Sequence, residues 1–199
     1  MIKVLVADGS ALVRKTLSDI LSSDSEINVV GTAMNGRFAI EKIKQLGPDI
    51  VLMDIEHPEM DGISTLKEIM KDWPLPVIVI TTQNSLEKTL EAMKSGAVDF
   101  ILKTSNINEI KDEILIKVKT AALARLHKFI KATPKKHKFF STRNKIIIIG
   151  SSTGGPQTLE ALLKELPKNI PAPILIVQHM PPIFTKSLAD RLNAICEIE

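Results

Sequence analysis

Asp54 stands at the end of a short apolar run, in a position where a carboxylate can do chemistry. Ile50 to Met53 are four consecutive apolar residues, which indicates a strand buried on both faces of a sheet. His57-Pro58 and Asp61-Gly62 then supply loop-forming pairs. A carboxylate at the carboxyl end of a central parallel strand lies where open α/β sheets bind their ligands. An aspartate that only joins a strand to a loop is the alternative.

A second motif places a serine in a tight turn, GSSTGGP from Gly150 to Pro156. The turn follows the strand-like run from Lys145 to Ile149 and precedes an apolar helical pattern. Such a strand–turn–helix is typical of a nucleophile elbow, which exposes the hydroxyl of Ser152 beside helix N–H groups. A phosphate-binding loop is the competing interpretation, although the turn lacks the Gly-Lys-Ser/Thr of a P-loop.

His179 follows the next strand-like run, Ile174 to Val177, and is the natural partner of this serine. If the two strands run parallel, His179 and Ser152 lie at the same edge of the sheet. The imidazole could then act as the base that activates the hydroxyl. A histidine with a purely structural role is the alternative.

Five strand-like segments in about 120 residues surround Asp54 in the sequence and must position its carboxylate. Each of them is followed by a helical pattern. The segments are Lys3–Ala7, Ile27–Ala33, Ile50–Met53, Val77–Ile80 and Asp99–Leu102. Ser10 is a predicted N-cap, Gly47 and Gly96 are predicted helix ends, and Asn106 with Glu109 forms a predicted capping box. The alternation predicts an α/β fold with a doubly wound, five-stranded parallel sheet.

The composition is that of an ordinary soluble protein of 199 residues, 44% hydrophobic and 25% charged. No apolar run approaches the roughly 18 residues of a membrane span, and the first ten residues do not resemble a signal peptide. Cys196 is the only cysteine, so no internal disulfide can form. These features predict a cytoplasmic location without membrane insertion.

Charge divides the chain into three blocks. Residues 1–113 hold 12 Lys/Arg and 18 Asp/Glu, residues 114–145 hold ten Lys/Arg and no acid, and residues 146–199 hold four against five. The pattern predicts a domain over residues 1–125, a basic linker over 126–144 and a second domain segment over 145–199. Nucleic-acid binding by the basic block is one interpretation; a solvated linker with no nucleic-acid partner is preferred, since no recognition-helix motif follows.

The alternation and the segment PDIVLMDIEHPEMDG resemble the receiver domains of two-component response regulators, over residues 1 to about 125. This resemblance implies that a histidine kinase phosphorylates Asp54. It also implies a Mg²⁺ site formed by Asp8, Asp54 and the backbone of Glu56. The remaining switch residues that it implies are Thr81, Lys103 and the aromatic Phe100. Phosphorylation adds about −1.5 to −2 charge, which would draw Thr81 inward and let Phe100 follow.

Two residues depart from the receiver pattern. Gly9 stands where a second acid is usual, and Mg²⁺ prefers a near-octahedral oxygen shell, so we expect a weakened metal site. Thr104 stands where proline usually follows the lysine, and a cis bond is costly without proline, so the shape of this loop is also expected to differ.

The motifs GSSTGGP and IVQHMPPIFTKSLADRLN resemble the output domain of the chemotaxis protein-glutamate methylesterases. This resemblance implies that Ser152 is the nucleophile and His179 the general base. It also implies hydrolysis of glutamate methyl esters, and deamidation of glutamines, on chemoreceptors without a cofactor. The catalytic aspartate of that family would lie beyond Glu199, and Asp190 does not match it. The chain is therefore expected to be truncated and inactive by itself as an esterase.

Two other functions remain open from the sequence. One is a non-enzymatic, phosphorylation-dependent module that binds signalling partners through the receiver. The other, less favoured, is a transcriptional regulator that uses the basic block.

Overall fold

The structure, a computed structural model, describes residues 1–56, 62–82, 86–123 and 145–198. The chain divides into two compact units, Met1–Leu126 and His127–Glu199, and each is described by itself. The predicted basic linker over residues 126–144 lies outside the described residues, as does the predicted loop pair His57-Pro58.

Five parallel strands form the sheet of the first unit, in the order β2-β1-β3-β4-β5. The strands are β1 (Ile2–Ala7), β2 (Ile27–Ala33), β3 (Ile50–Asp54), β4 (Val77–Thr81) and β5 (Asp99–Leu102). Every residue of β3 and β4 is buried, as expected for central strands covered on both faces. The predicted doubly wound sheet is confirmed, and β1 begins one residue earlier than predicted.

Helices cover both faces of this sheet. They are α1 (Ala11–Ser22), α2 (Gly36–Leu46), α3 (Gly62–Asp72), α4 (Leu86–Lys94) and α5 (Lys111–Leu123), with a 3₁₀ helix over Ile107–Ile110 before α5. α1 contacts α5, whereas α3 contacts both α2 and α4. The apolar core lies between the sheet and these helices, where Leu17, Leu52 and Val118 are almost completely buried.

The helix ends follow the capping residues that the sequence predicts. The Ser10 hydroxyl accepts a hydrogen bond from the Val13 N–H at 3.4 Å. Gly47 ends α2 in the left-handed region at φ 53°, a conformation that favours glycine.

Two local predictions differ from the structure. Asn106 caps the 3₁₀ helix rather than an α-helix, and α5 begins only at Lys111. Gly62, predicted in a loop, is the first residue of α3. A Cβ there would lie 2.5 Å from the Cα of Ile55, so the helix can begin this close to the end of β3 only at a glycine.

The second unit contains two parallel strands, each followed by a helix. These are β6 (Ile147–Ser151), α6 (Gly155–Lys164), β7 (Ile174–Gln178) and α7 (Pro182–Ile195). The strands are apolar yet partly exposed: Ile148 is 65% exposed and Val177 is 60% exposed. In either unit, no helix within the described residues is long and apolar enough to cross a membrane.

Candidate functional site

One lysine joins two buried carboxylates at the carboxyl end of the first sheet, and we call these three side chains the acidic pocket. Lys103 Nζ donates hydrogen bonds to Asp8 Oδ2 at 2.8 Å and to Asp54 Oδ2 at 2.6 Å. Asp8 follows β1, Asp54 ends β3 and Lys103 follows β5, so the parallel topology brings them to one edge. Asp8 is 2% exposed and Asp54 is 7% exposed. The pocket therefore holds two buried carboxylates against one partly exposed ammonium group.

Backbone groups hold the second oxygen of each carboxylate. The Ser10 N–H donates to Asp8 Oδ1 at 2.8 Å, and the Glu56 N–H donates to Asp54 Oδ1 at 2.9 Å. Arg14 Nη1 donates to the carbonyl oxygens of Asp8 and Gly9, at 2.8 and 3.1 Å, and so ties this loop to α1. Both carboxylates are thus fixed before any ligand binds.

The charge state of the pocket follows from these contacts. Burial acts to lower the pKa of the Lys103 ammonium, but its hydrogen bonds to Asp54 and Asp8 outweigh burial and hold that pKa above its ordinary value. Lys103 is therefore a cation at neutral pH, facing two carboxylates. Such a pocket can pair with a phosphoryl group through Lys103 or hold a hard cation through carboxylate oxygens.

Carboxylate oxygens are ligands that Mg²⁺ prefers, and the pocket offers them from Asp8 and Asp54; the Glu56 backbone lies beside Asp54, to which its N–H donates. In the part of the chain that the structure describes, no group of three or more His, Cys, Asp or Glu side chains could hold a metal ion. The Glu56 carboxylate instead accepts a hydrogen bond from Thr82 Oγ1 at 3.1 Å. The residues thus fit Mg²⁺ in type but supply only two side-chain carboxylates.

The other two predicted switch residues are buried as well. Thr81 ends β4, next to β3, and its hydroxyl accepts a hydrogen bond from Thr89 Oγ1 at 2.9 Å. Phe100 is 3% exposed. Its carbonyl accepts a hydrogen bond from Lys117 Nζ at 2.6 Å, and this nitrogen lies 5.3 Å from the centre of its ring. The structure therefore gathers Asp8, Asp54 and Lys103, while Thr81 and Phe100 contact other side chains.

The second unit brings the predicted serine and histidine together. Ser152 follows β6 and His179 follows β7, and the two strands end in register. Ser152 Oγ lies 3.4 Å from His179 Nδ1. This distance is slightly longer than the hydrogen bond of an active nucleophile–base pair. No ion pair described within residues 145–198 involves His179.

Gln178, which the sequence analysis did not single out, ties this serine–histidine pair together. Its side-chain amide donates to the carbonyl oxygens of Ser152 at 3.0 Å and His179 at 3.1 Å. Its Oε1 accepts a hydrogen bond from the Ser151 hydroxyl. Gly155 begins α6 against these groups, because a Cβ there would collide with the side chains of Gln178 and Ser151. The only signal in the sequence for the role of Gln178 was an amide side chain at the last position of an apolar strand.

Comparison with known families agrees with this arrangement. Residues 4–115 match the family model of the response regulator receiver domain, and residues 147–199 match that of the CheB methylesterase. The chain belongs to the response regulators of the CheB methylesterase family. The family that the sequence motifs predict is thereby confirmed.

Curated relatives have both parts. The protein-glutamate methylesterase/protein-glutamine glutaminase of Halalkalibacterium halodurans is 47% identical over 99% of this chain and 60% of its own length. The protein of the same name in Archaeoglobus fulgidus is 45% identical over 99% of this chain and 60% of its own length. The response regulator described here thus spans about 60% of the length of these relatives.

Solved structures resemble the first unit. The response regulator domain of Thermotoga maritima CheB is 39% identical, with a TM-score of 0.58, and the match covers 63% of this chain and 98% of that one. The signal receiver domain of the putative response regulator NarL from Mycobacterium tuberculosis is 32% identical, with a TM-score of 0.56, over 62% of this chain and 98% of that one.

Proposed function

We propose that the first unit accepts a phosphoryl group on Asp54 from a chemotaxis histidine kinase, and that phosphorylation controls an esterase centred on Ser152. The observation that carries the proposal is the position of Lys103, whose ammonium contacts both Asp8 and Asp54. A cation held against the acceptor carboxylate can neutralise charge as the phosphoryl group arrives. The family match of residues 4–115 supports the same role.

The transfer needs few groups from the protein. An oxygen of the Asp54 carboxylate attacks phosphorus, and the donor's leaving group departs with the electron pair of the broken bond. The new acyl phosphate brings about −1.5 to −2 charge, which the Lys103 ammonium partly offsets. Thr81 donates a hydrogen bond to a phosphoryl oxygen, and Phe100 moves into the space that Thr81 leaves.

Mg²⁺ fits this site as the resident cation. Asp8, Asp54 and the backbone carbonyl of Glu56 would hold it, and it supplies positive charge for the phosphoryl oxygens. Gly9 contributes no carboxylate, so we expect weak Mg²⁺ binding and slow phosphorylation.

We further propose that Ser152 hydrolyses methyl esters of glutamate side chains on chemoreceptors, with His179 as general base. His179 removes the Ser152 proton while Oγ attacks the ester carbonyl, and methanol leaves with that proton. Water then hydrolyses the acyl-enzyme and returns the hydroxyl. The same steps applied to a glutamine release ammonia. The names of the relatives, protein-glutamate methylesterase and protein-glutamine glutaminase, support both substrates.

The division of labour in this proposal follows the two units. Residues 1–125 form the regulatory receiver, residues 126–144 the linker, and residues 145–199 the part of the hydrolase domain present in this sequence. The match of residues 147–199 to the methylesterase family favours this assignment over a purely non-enzymatic binding module.

We propose that the 199-residue polypeptide alone has negligible esterase activity. An imidazole that acts as a base needs a third group to hold its tautomer, and replacing that group in a serine protease costs about 10⁴ in turnover. No carboxylate fills this role for His179 among residues 145–198. In addition, Ile148 and Leu175 are 65% and 51% exposed, which leaves the apolar sheet uncovered.

Phosphorylation of the 199-residue polypeptide tests the receiver half of the proposal. Acetyl phosphate and Mg²⁺ should give a hydroxylamine-sensitive phosphorylated species, and the Asp54→Asn variant should give none. Equal labelling of Asp54→Asn would mean that the acceptor is another residue and would overturn the assignment.

A further inference from the structure

Two threonine hydroxyls meet in the core beside the acidic pocket. Thr81, the last residue of β4, and Thr89, on α4, are both 0% exposed. Thr89 Oγ1 donates a hydrogen bond to Thr81 Oγ1 at 2.9 Å. Within the described residues, the Thr81 hydroxyl donates to the Thr82 carbonyl at a long 3.4 Å. The contact with Thr89 is therefore the shorter of these two hydrogen bonds of the Thr81 hydroxyl.

This contact joins a helix to a strand. Thr16, Thr120 and Thr158 each donate to the carbonyl four residues earlier in their own helix. Thr89 reaches a different element, since its hydroxyl meets the end of β4. Thr89 thus couples α4 to the hydroxyl at the phosphorylation edge of the sheet.

We propose that Thr89 is a positioning residue of the phosphorylation site, which holds the Thr81 hydroxyl in its resting orientation in competition with the phosphoryl group on Asp54. The inference rests on the proposed phosphorylation of Asp54. Threonine oxygens occupy discrete staggered positions, so a rotation of Thr81 toward the phosphoryl group breaks the 2.9 Å contact with Thr89. Phosphorylation must therefore release α4 from this hydroxyl before Thr81 can bind the phosphoryl oxygen.

The energetic consequence has a definite sign. Thr89→Val keeps the shape of the side chain but removes the contact with Thr81, which belongs to the resting state, while any other hydrogen bond of the Thr89 hydroxyl is lost from both states. The resting state becomes less favourable relative to the state in which Thr81 binds the phosphoryl oxygen. One neutral hydrogen bond contributes enough for about a two- to tenfold change in an equilibrium constant, so the variant should bind a phosphoryl analogue that much more tightly.

The test uses beryllofluoride, an analogue of the aspartyl phosphate, titrated calorimetrically into the whole 199-residue chain with excess Mg²⁺. Thr89→Val is compared with wild type, with Thr89→Ser, which restores the hydroxyl, and with Thr120→Val, a matched helical threonine on α5. Each substitution is also made in a Thr81→Val background. Thr89→Ala is the second hydroxyl-free variant, for use if valine prevents folding.

We expect Thr89→Val to tighten beryllofluoride binding about two- to tenfold, with Thr89→Ser and Thr120→Val close to wild type. In the Thr81→Val background the gain should vanish, because Thr89 acts through Thr81. A purely structural role would not produce this coupling. Unchanged or weaker binding by Thr89→Val, or a gain that persists without the Thr81 hydroxyl, would overturn the inference alone. Failure of wild type to bind beryllofluoride, with Asp54→Asn no different, would overturn the proposed phosphorylation as well.

Discussion

The ammonium nitrogen of Lys103 lies 2.6 Å from Oδ2 of Asp54, so the proposed acceptor carboxylate already has a cationic partner. The same nitrogen lies 2.8 Å from Oδ2 of Asp8, and one cation therefore faces two buried carboxylates. An added charge in this pocket changes the electrostatic energy of all three groups, because burial leaves little solvent to screen it. The net charge of the pocket therefore determines how a substitution at Gly9 changes Mg²⁺ affinity and stability.

Gly9→Asp should tighten Mg²⁺ binding while destabilising the metal-free receiver. The third carboxylate adds a ligand for the cation, and we expect about a tenfold gain in affinity from one further charged ligand. Without Mg²⁺ it adds like charge beside Asp8 and Asp54. Calorimetric titration with Mg²⁺ measures the affinity, and Gly9→Asn is the uncharged control. Mg²⁺ affinity in wild type equal to that of Gly9→Asp would show that the missing ligand is immaterial.

Lys117→Met should destabilise the first unit strongly. Lys117 is 6% exposed, and its ammonium lies 3.3 Å from Asp99 and 3.1 Å from Glu113. Removing the cation from a buried pair typically costs about 3–5 kcal/mol. Urea unfolding followed by the fluorescence of Trp73, the only tryptophan, measures the change.

The matched control for this cost is the double variant Lys117→Met/Asp99→Asn, which removes both charges and should recover most of the loss. A single variant as stable as wild type would mean that the Lys117–Asp99 pair contributes nothing to the fold.

The sequence predicted the elements better than the contacts between them. Buried strands such as Ile50–Asp54 are recognisable because a strand covered on both faces must be apolar throughout. Strand ends then located Asp54, Ser152 and His179, because parallel strands bring their carboxyl ends to one edge. The Thr81–Thr89 contact was not predictable, since it depends on the distance between a helix and a strand.

Local competition between helix types explains one boundary that the sequence placed wrongly. Asn106 and Glu109 have capping-box spacing, but the first turn after Asn106 is a 3₁₀ turn and the α-helix starts at Lys111. The Asn106 side chain accepts from the Asn108 N–H at 3.3 Å, a local bond that closes the tighter turn. The spacing of Asn106 and Glu109 alone does not distinguish a 3₁₀ turn from the first turn of an α-helix.

Gly155→Ala should loosen the second unit, whereas Gly150→Ala should not. A Cβ at residue 155 collides with the side chains of Gln178 and Ser151, but a Cβ at residue 150 meets nothing within 4 Å. Overpacking of this kind costs about 1–3 kcal/mol. The reactivity of Cys196, the only thiol, with a chromogenic disulfide in rising urea reports the opening of this unit. Equal effects of the two substitutions would contradict the close packing of Gly155 against Gln178.

Acid should weaken the contact between α6 and α7. Burial acts to raise the pKa of Glu160, but hydrogen bonds from Lys164 and Arg191 outweigh it and hold that pKa below the ordinary 4.5. A lowered pKa means that the carboxylate stabilises the fold above pH 4.5, and that this contribution is lost as the pH falls through the folded-state pKa. The urea midpoint of the second unit, followed by circular dichroism, should therefore fall in acid, and fall less in Glu160→Gln. An identical pH profile for the two proteins would exclude Glu160 as the titrating group.

Methanol release from methylated chemoreceptor membranes tests the central claim most directly. The protein measured is the 199-residue chain extended with the C-terminal remainder of the Halalkalibacterium halodurans relative, beside the unextended chain. We expect the extended protein to release methanol, faster with acetyl phosphate; Asp54→Asn should lose this stimulation, Ser152→Ala should release none, and the unextended chain should release almost none. Release that survives Ser152→Ala, or stimulation that survives Asp54→Asn, would contradict the account.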